Sequence, residues 1–164
     1  MNMVIHSFAY CLDYLREQVA DVGPSAMVAQ PNGIQNHPAW VIGHLTYSCQ
    51  AIGGEMGLVP WLPEDSAKKF GTGSEPIPDA AAYKDKSELL LMLSDAQTRI
   101  ENAVNQLSDS QLEQPLPDQR FRSILPTVRH ALTQVLVAHT AYHIGQMNFW
   151  RQAMKLAKIE RPFI

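Results

Sequence analysis

Two histidines stand four residues apart in a strongly periodic stretch near the C-terminus. If that stretch is an α-helix, His139 and His143 lie one above the other, with Cβ atoms about 6 Å apart. Two imidazoles in that arrangement can bind one metal ion through ring nitrogens, at about 2.0–2.1 Å each. The apolar residues before and after the pair indicate that it points into the core. On its own the pair is a weak signal, because histidines with ordinary partners show the same spacing.

A third histidine strengthens the hypothesis. His44 lies on the apolar face of another helical stretch, together with Trp40 and Tyr47. A lone histidine on such a face is usually a core residue with ordinary hydrogen bonds. Three inward histidines on two helices need a further reason, because burying several imidazoles without partners is costly. One divalent metal ion satisfies all three, so the sequence predicts a metal site formed by His44, His139 and His143.

The other three histidines fit such a site less well. His130 precedes His139 by nine residues, which places it about 180° away around an α-helix. His6 lies off the apolar stripe of its own helix. His37 is on the same side as His44 but about 10 Å away along the axis. Two interpretations of His37 stay open: it lines the mouth of the site, or it is a solvent-exposed residue at the start of a helix.

Two familiar metal motifs are absent from the sequence. Residue 140 is threonine, so the glutamate base of the HExxH metalloprotease motif is missing. Di-iron bundles need several inward glutamates and two Glu-x-x-His motifs, and the sequence has neither. Glu55 would lie about three turns from His44, too far to act as its base. No general base is therefore evident.

Four stretches show the spacing of apolar residues that predicts amphipathic helices. The first begins near Val4 and ends at Gly23-Pro24. The second begins near Asn36, a good N-cap residue, with Pro38 in its first turn. Gly53-Gly54 or Gly57 should end it. These two helices would carry the apolar stripe of the N-terminal half and His44.

The third and fourth helices belong to the C-terminal half. Asp85 and Glu88 form a potential capping box at the start of the third, whose periodic residues continue to Leu107. The fourth begins between residues 123 and 127 and keeps its apolar side as far as Met154. Four such helices in one chain predict an all-α four-helix bundle, with residues 1–164 forming a single domain.

A long connection, Gly57–Lys86, separates the second helix from the third. It contains four of the eleven prolines, and connections of this length in compact domains are often functional. It can run the length of a bundle, so the two helices that it joins need not be antiparallel neighbours. We therefore predict that they run roughly parallel, which gives an up-down-down-up order.

Composition narrows the range of functions. The formal net charge is −3 and no basic run occurs, which argues against a nucleic-acid partner. The sequence has no uninterrupted apolar stretch long enough to span a membrane and no secretory signal pattern. Cys11 and Cys49 are typical of reduced thiols in a cytoplasmic protein. Charged residues make up only 18%, which suggests that a second subunit covers some of the surface.

Three segments resemble a known family. Residues 36–45, NHPAWVIGHL, look like the AWxxGHL segment of the DinB-like (damage-inducible, YfiT-type) metalloprotein superfamily. Residues 139–146, HTAYHIGQ, look like its HxxxHxGQ segment, and residues 70–74, FGTGS, resemble a loop of one branch. The similarity spans nearly the whole chain, with Pro38 and His37 as departures that do not touch the proposed ligands.

The resemblance implies an up-down-down-up four-helix bundle with a three-histidine site at His44, His139 and His143. It also implies a homodimer, since members of the family are often dimers. Some relatives carry out transfer or isomerisation with low-molecular-weight thiols as cosubstrates. The family name refers to induction by DNA damage and does not imply DNA binding.

Three histidines would leave a tetrahedral metal ion one open position, as in catalytic zinc sites. We therefore expect a metal-dependent enzyme, either a hydrolase or a thiol-dependent transferase, with zinc as the metal and nickel as the alternative. Gln146 would orient a ligand or water, and Tyr47 would donate a proton. Arg151 and Asn148 are candidates for binding an anionic substrate, although a surface face is the expected reading. The rival hypothesis is a non-catalytic bundle that binds a metal or a small ligand.

Overall fold

The apolar stripes of the sequence become the buried faces of helices in the computed structural model, which describes residues 1–162. The chain is helical, and no β-strand forms within residues 1–162, as the all-α prediction requires. The helices are α1 (Asn2–Ala20), α2 (Pro38–Glu55), α3 (Ser66–Phe70), α4 (Lys86–Gln106), α5 (Asp109–Leu112), α6 (Val128–Thr133) and α7 (Thr140–Ala153). The predicted domain, residues 1–164, includes two residues that lie outside the described part.

The four predicted helices correspond to α1, α2, α4 and the helical run from α6 to α7. Helix α2 packs against α4, and α1 packs against α7. The core between them is made of large apolar side chains that are completely or almost completely buried. Among them are Leu12, Leu15, Ile42, Leu93, Ile100, Leu132, Leu136 and Trp150. No helix within residues 1–162 combines the length and the apolar character needed to cross a membrane.

A π-helical segment, Gln134–His139, joins α6 to α7. In a π-helix each backbone hydrogen bond spans five residues, and such segments are rare and frequently lie at functional sites. The Thr140 hydroxyl donates to the carbonyl oxygen of Val135, five residues earlier, at 3.1 Å. The predicted fourth helix is therefore continuous but not uniformly α-helical. Its last π-helical residue is His139, one of the three predicted metal ligands.

The N-terminus of α2 differs from the prediction by one residue. His37, not Asn36, is the N-cap, and its Nδ1 accepts a hydrogen bond from the Trp40 backbone N–H at 3.2 Å. The Asn36 side chain instead donates to Gln146 on α7 at 3.0 Å. His37 is completely buried, so its interpretation as a solvent-exposed residue is wrong.

The predicted capping box of α4 forms only in part. The Asp85 side chain accepts from the Glu88 backbone N–H at 2.8 Å, as expected of an N-cap. The Glu88 carboxylate, however, pairs with Lys84 at 3.3 Å instead of returning to the Asp85 N–H. A complete capping box occurs instead at Ser108 and Gln111, at the start of the short helix α5.

The connection between α2 and α4 lies along α2. Near the C-terminal end of α2, Gln50 Oε1 accepts from the backbone N–H of Trp61 at 2.8 Å. Near its N-terminal end, the Trp40 indole N–H donates to the Ser74 hydroxyl at 3.1 Å. The connection thus follows α2 back from its end towards its beginning, and the short helix α3 forms on the way.

Arg151 on α7 is buried, contrary to the expectation from the sequence. Only 3% of it is exposed, so the expectation of a surface face is wrong. Its guanidinium pairs with the Asp21 carboxylate at 2.6 and 2.9 Å and donates to the Gln18 carbonyl oxygen. The nearby Asn148 side chain accepts from the Tyr14 hydroxyl and the Gln18 amide. Arg151 therefore ties α7 to the end of α1, and its positive charge is already paired with the Asp21 carboxylate.

Candidate metal centre

The structure brings His44, His139 and His143 together between α2 and the C-terminal helical run. The Nε2 atom of His139 lies 3.0 Å from Nε2 of His44 and 3.2 Å from Nε2 of His143. One ligand atom from each histidine lies within 4.8 Å of the other two. His44 and His143 are buried, with 7% and 4% of each exposed, and His139 is half-buried. Three ring nitrogens thus converge on one point.

These separations fit three ligands of one ion. Two nitrogens that bind the same tetrahedral ion at about 2.0–2.1 Å lie about 3.3 Å apart. The observed distances of 3.0 and 3.2 Å are close to that value. Only small side-chain adjustments would therefore bring the three nitrogens to bonding distance of one ion.

Hydrogen bonds on the far side of two rings fix which nitrogen carries the proton. His44 Nδ1–H donates to the carbonyl oxygen of Phe70 at 2.6 Å, and His143 Nδ1–H donates to Gln146 Oε1 at 2.8 Å. The amide of Asn36 donates to the same Gln146 oxygen, so that oxygen acts as an acceptor. In a neutral imidazole with Nδ1 protonated, Nε2 is a free lone pair. Both rings therefore present a metal-binding nitrogen to the centre.

His139 differs from the other two histidines. Its Nδ1 atom is buried and has no hydrogen-bond partner within the described residues. Its Nε2 atom faces the two lone pairs of His44 and His143, and at most one proton can sit between the three nitrogens. At least two lone pairs then face each other without a donor, which is an arrangement that a cation relieves.

The surroundings keep the three imidazoles neutral. Burial lowers the pKa of His44 from its ordinary value. Burial, which has the larger effect, and the charge of His44 lower the pKa of His139 to about 4. Burial and the charges of the two neighbouring histidines lower the pKa of His143 to about 3. At neutral pH all three rings are therefore uncharged, the form in which histidine binds metal.

Two aromatic rings pack against members of the trio. The Trp40 indole stacks on the His44 ring, with centroids 4.6 Å apart and planes 9° from parallel. The Tyr142 ring meets the His143 ring edge-on at 5.3 Å. Trp40 is buried and Tyr142 is exposed, so one side of the trio faces the core and the other is near the surface.

The structure gives the two other predicted site residues different surroundings. Gln146 touches His143 directly and also borders a cleft of ≈ 390 Å³ whose wall includes Phe149. None of the three histidines lines that cleft. Tyr47 is half-buried, and its ring lies beside Gly71 in the connection. Gln146 is thus placed to orient His143, whereas Tyr47 lies next to the segment that binds His44.

The remaining histidines lie outside the trio. His130 is exposed and its Nδ1 pairs with the Thr127 hydroxyl at 2.8 Å. His6 is exposed on α1. His37 bonds through Nε2 to the Ile77 carbonyl oxygen at 3.1 Å, so it ties the connection to α2. Among residues 1–162, the group of ligand atoms that converges is the predicted one.

Sequence reasoning missed two residues that hold the trio. Phe70 supplies the acceptor for His44, and Asn36 holds the Gln146 oxygen that accepts from His143. Phe70 belongs to a segment that could be noticed only by resemblance, because a backbone carbonyl leaves no trace in residue type. Asn36 was predicted to be a helix N-cap, and its hydrogen bond to Gln146 was not predicted.

The comparison with protein families agrees with this geometry. The model of the DinB superfamily matches residues 7–147, a range that contains all three histidines and both residues that support them. Neither a curated protein nor a solved structure shows a significant match to the chain. The family match covers more than four fifths of the 164 residues. The chain therefore belongs to the DinB superfamily.

Proposed function

We propose that this protein is a metal-dependent enzyme that acts on a small molecule through one divalent ion held by His44, His139 and His143. The observation that carries the proposal is the convergence of three neutral imidazoles, two of them with their outer N–H already engaged. Such outer hydrogen bonds are the usual support of metal-binding histidines, because they fix the tautomer and make the inner nitrogen more basic. The residues present therefore fit a metal ion.

The number of ligands favours catalysis over a purely structural role. Structural zinc sites are usually closed by four protein ligands, whereas catalytic sites commonly have three. When bound, a divalent ion at this site would supply a Lewis acid with a free coordination position. The protein residues would keep that ion in place, and the stacked Trp40 would exclude water from one side of His44. Both a hydrolase and a thiol-dependent transferase could use such an electrophile.

We assign different roles to Gln146 and Tyr47. Gln146 accepts from His143 and from Asn36, so its oxygen is fully used in orienting a ligand. Tyr47 has a phenol next to the connection and stays our candidate proton donor. A small substrate, with a low-molecular-weight thiol as the candidate cosubstrate, would approach from the side of Tyr47. We propose zinc as the metal and nickel as the alternative, since imidazole suits both.

A non-catalytic metal- or ligand-binding protein is the second candidate. The low exposure of His44 and His143 favours it, because a deeply buried ion would be less accessible to a substrate. The two functions differ in a simple way. An enzyme would turn over a substrate only when loaded with metal, whereas a binding protein would gain stability from the metal without turnover.

Metal analysis of protein purified without an affinity tag tests the proposed site. We expect about one divalent ion per chain, and replacement of His139 or His143 by alanine should abolish stoichiometric binding. His130→Ala is the matched control, because His130 is exposed and lies outside the trio. A full metal load in the variant with all three ligands replaced by alanine would show that the assignment is wrong.

We also propose that the four long helices follow an up-down-down-up order. The contacts of the connection support this, because they lead from the C-terminal end of α2, at Gln50, back to its N-terminal end, at Trp40. Helix α4 then starts near the beginning of α2 and runs roughly parallel to it. An experimental structure with simple up-down-up-down order would contradict the proposal.

The assembly and location of the protein are proposals as well. A homodimer is supported by the low share of charged residues and by the exposed rings of Tyr142 and Phe149, 63% and 69% exposed. A cytoplasmic location is supported by two free and buried thiols, Cys11 and Cys49. The acidic net charge supports the expectation that nucleic acid is not a partner.

A further inference from the structure

One face of α2 donates three side-chain hydrogen bonds to the connection. The donors are spaced three and four residues apart, so they lie on successive turns of one helix face. Their acceptors follow each other in reverse order along the connection, which therefore lies against this face in a fixed register. The pairs are His37 with the Ile77 carbonyl (3.1 Å), Trp40 with the Ser74 hydroxyl (3.1 Å) and His44 with the Phe70 carbonyl (2.6 Å).

The Phe70 ring packs directly against the backbone of α2 at Gly43. A Cβ atom at Gly43 would lie well under 3.0 Å from three carbons of that ring, so only glycine leaves room for it. Gly71, the residue after Phe70, is similarly restricted, because a Cβ atom there would meet the carbonyl oxygen of Ala67. The ring and the turn after it thus fix the position of the Phe70 carbonyl. Gly43 directly precedes His44, so the ring seat and the bonded imidazole are adjacent on α2.

We propose that Phe70 is a positioning residue of the metal site: its ring, seated against Gly43, holds its carbonyl oxygen on Nδ1 of His44 and so presents Nε2 of His44 to the metal. This inference rests on the proposed metal-binding function. The carbonyl selects the Nδ1–H tautomer, and without it the His44 proton could move to Nε2, where it would block the metal. The connection therefore contributes to metal affinity without supplying a ligand.

Two single substitutions and one double substitution test the proposal. Gly43→Ala places a methyl group where the ring sits, and Phe70→Ala removes the ring. Gly54→Ala is the matched control on the same helix, because a Cβ atom there meets nothing within 4 Å. Zinc affinity is measured by competition with a chromophoric chelator. The His44 tautomer is measured by nitrogen-15 NMR on the metal-free protein, and the free energy of unfolding is measured by urea.

We expect Gly43→Ala and Phe70→Ala each to weaken zinc binding by about 10- to 100-fold. Both should reduce the Nδ1–H population of His44, whereas Gly54→Ala should leave affinity and tautomer unchanged. The double variant should bind zinc no more weakly than Phe70→Ala alone, because the added methyl group no longer meets a ring. If Gly43→Ala does not fold, Phe70→Ala alone still decides the matter.

Two results would overturn the inference. One is wild-type zinc affinity in Phe70→Ala. The other is weaker affinity with an unchanged His44 tautomer, which would point to general loss of structure. Failure of the metal site itself would look different, since the wild-type protein would then bind no zinc at all.

Discussion

The hydrogen bond between His143 and Gln146 offers the sharpest test of how the site is supported. Replacing Gln146 by leucine keeps the approximate size of the side chain and removes the oxygen that accepts from His143 Nδ1–H at 2.8 Å. The amide of Asn36 loses the same acceptor. We expect the Gln146→Leu variant to fold and to bind zinc more weakly than the wild type.

The size of the effect follows from the metal-free state. Without its acceptor, the His143 ring can move its proton to Nε2, which lies 3.2 Å from the His139 lone pair, and donate there. That hydrogen bond stabilises only the metal-free protein, because metal binding must break it. Loss of an outer partner typically weakens metal binding 10- to 100-fold, or about 1.4–2.8 kcal/mol. A buried N–H without a partner costs about 1–3 kcal/mol, which is the same range.

Competition of the protein with a chromophoric chelator for zinc at pH 7 measures this difference. Gln146→Glu should act in the opposite direction, because a carboxylate is a stronger acceptor for the His143 N–H and raises the basicity of the inner nitrogen. Gln152→Leu, at an exposed position on the same helix, is the control. Wild-type affinity in Gln146→Leu, or weakening of equal size in the leucine and glutamate variants, would refute the reasoning.

Other predictions concern acid, core packing and assembly. Burial lowers the pKa of His139 to about 4 and that of His143 to about 3. Below pH ~6.5 the unfolded chain therefore takes up protons that the folded metal-free protein does not. The free energy of unfolding of the metal-free protein should thus fall as the pH drops from about 6.5 towards 4. Urea titrations at pH 7 and 5 would test this, and an equal pH dependence in the His139→Leu/His143→Leu double variant would contradict it. Leu132→Ala should lower the free energy of unfolding by about 2–5 kcal/mol, because Leu132 is completely buried; a loss below 1 kcal/mol in urea denaturation would be incompatible with that packing. Sedimentation at micromolar concentration should show a species of twice the 18.3 kDa monomer mass, and a single monomeric species would argue against the dimer.

The sequence was sufficient to predict the four long helical stretches and the three convergent histidines. Apolar periodicity is a local property that is kept in the fold, so residues of the apolar stripes such as Leu12, Leu93 and Leu136 are buried. The pairing of His139 with His143 follows from helix geometry alone. His44 could be added because an inward imidazole needs a partner, and the inward faces of a bundle meet.

The remaining features depend on contacts between distant segments, and residue type does not encode them. His37 and Arg151 are polar and would be expected in solvent, yet both are buried because each finds partners on other segments. Phe70 acts through its backbone carbonyl, which every residue has. Asn36 has the right chemistry for a helix cap, but the neighbouring α7 presents Gln146 and takes its amide.

The π-helical segment affects how this chain should be aligned with others. A turn whose hydrogen bonds span five residues holds one residue more than an α-helical turn. A relative with a plain α-helix between α6 and α7 could therefore place its equivalents of Leu132 and His143 identically with one residue fewer, and a correct alignment would have a single-residue gap within Gln134–His139. A gap between His139 and His143 would instead change the angle between the two ligands around the helix axis by about 100°. A change of length within Gln134–His139 is thus compatible with the metal site, whereas a change of length between His139 and His143 displaces one ligand from the other.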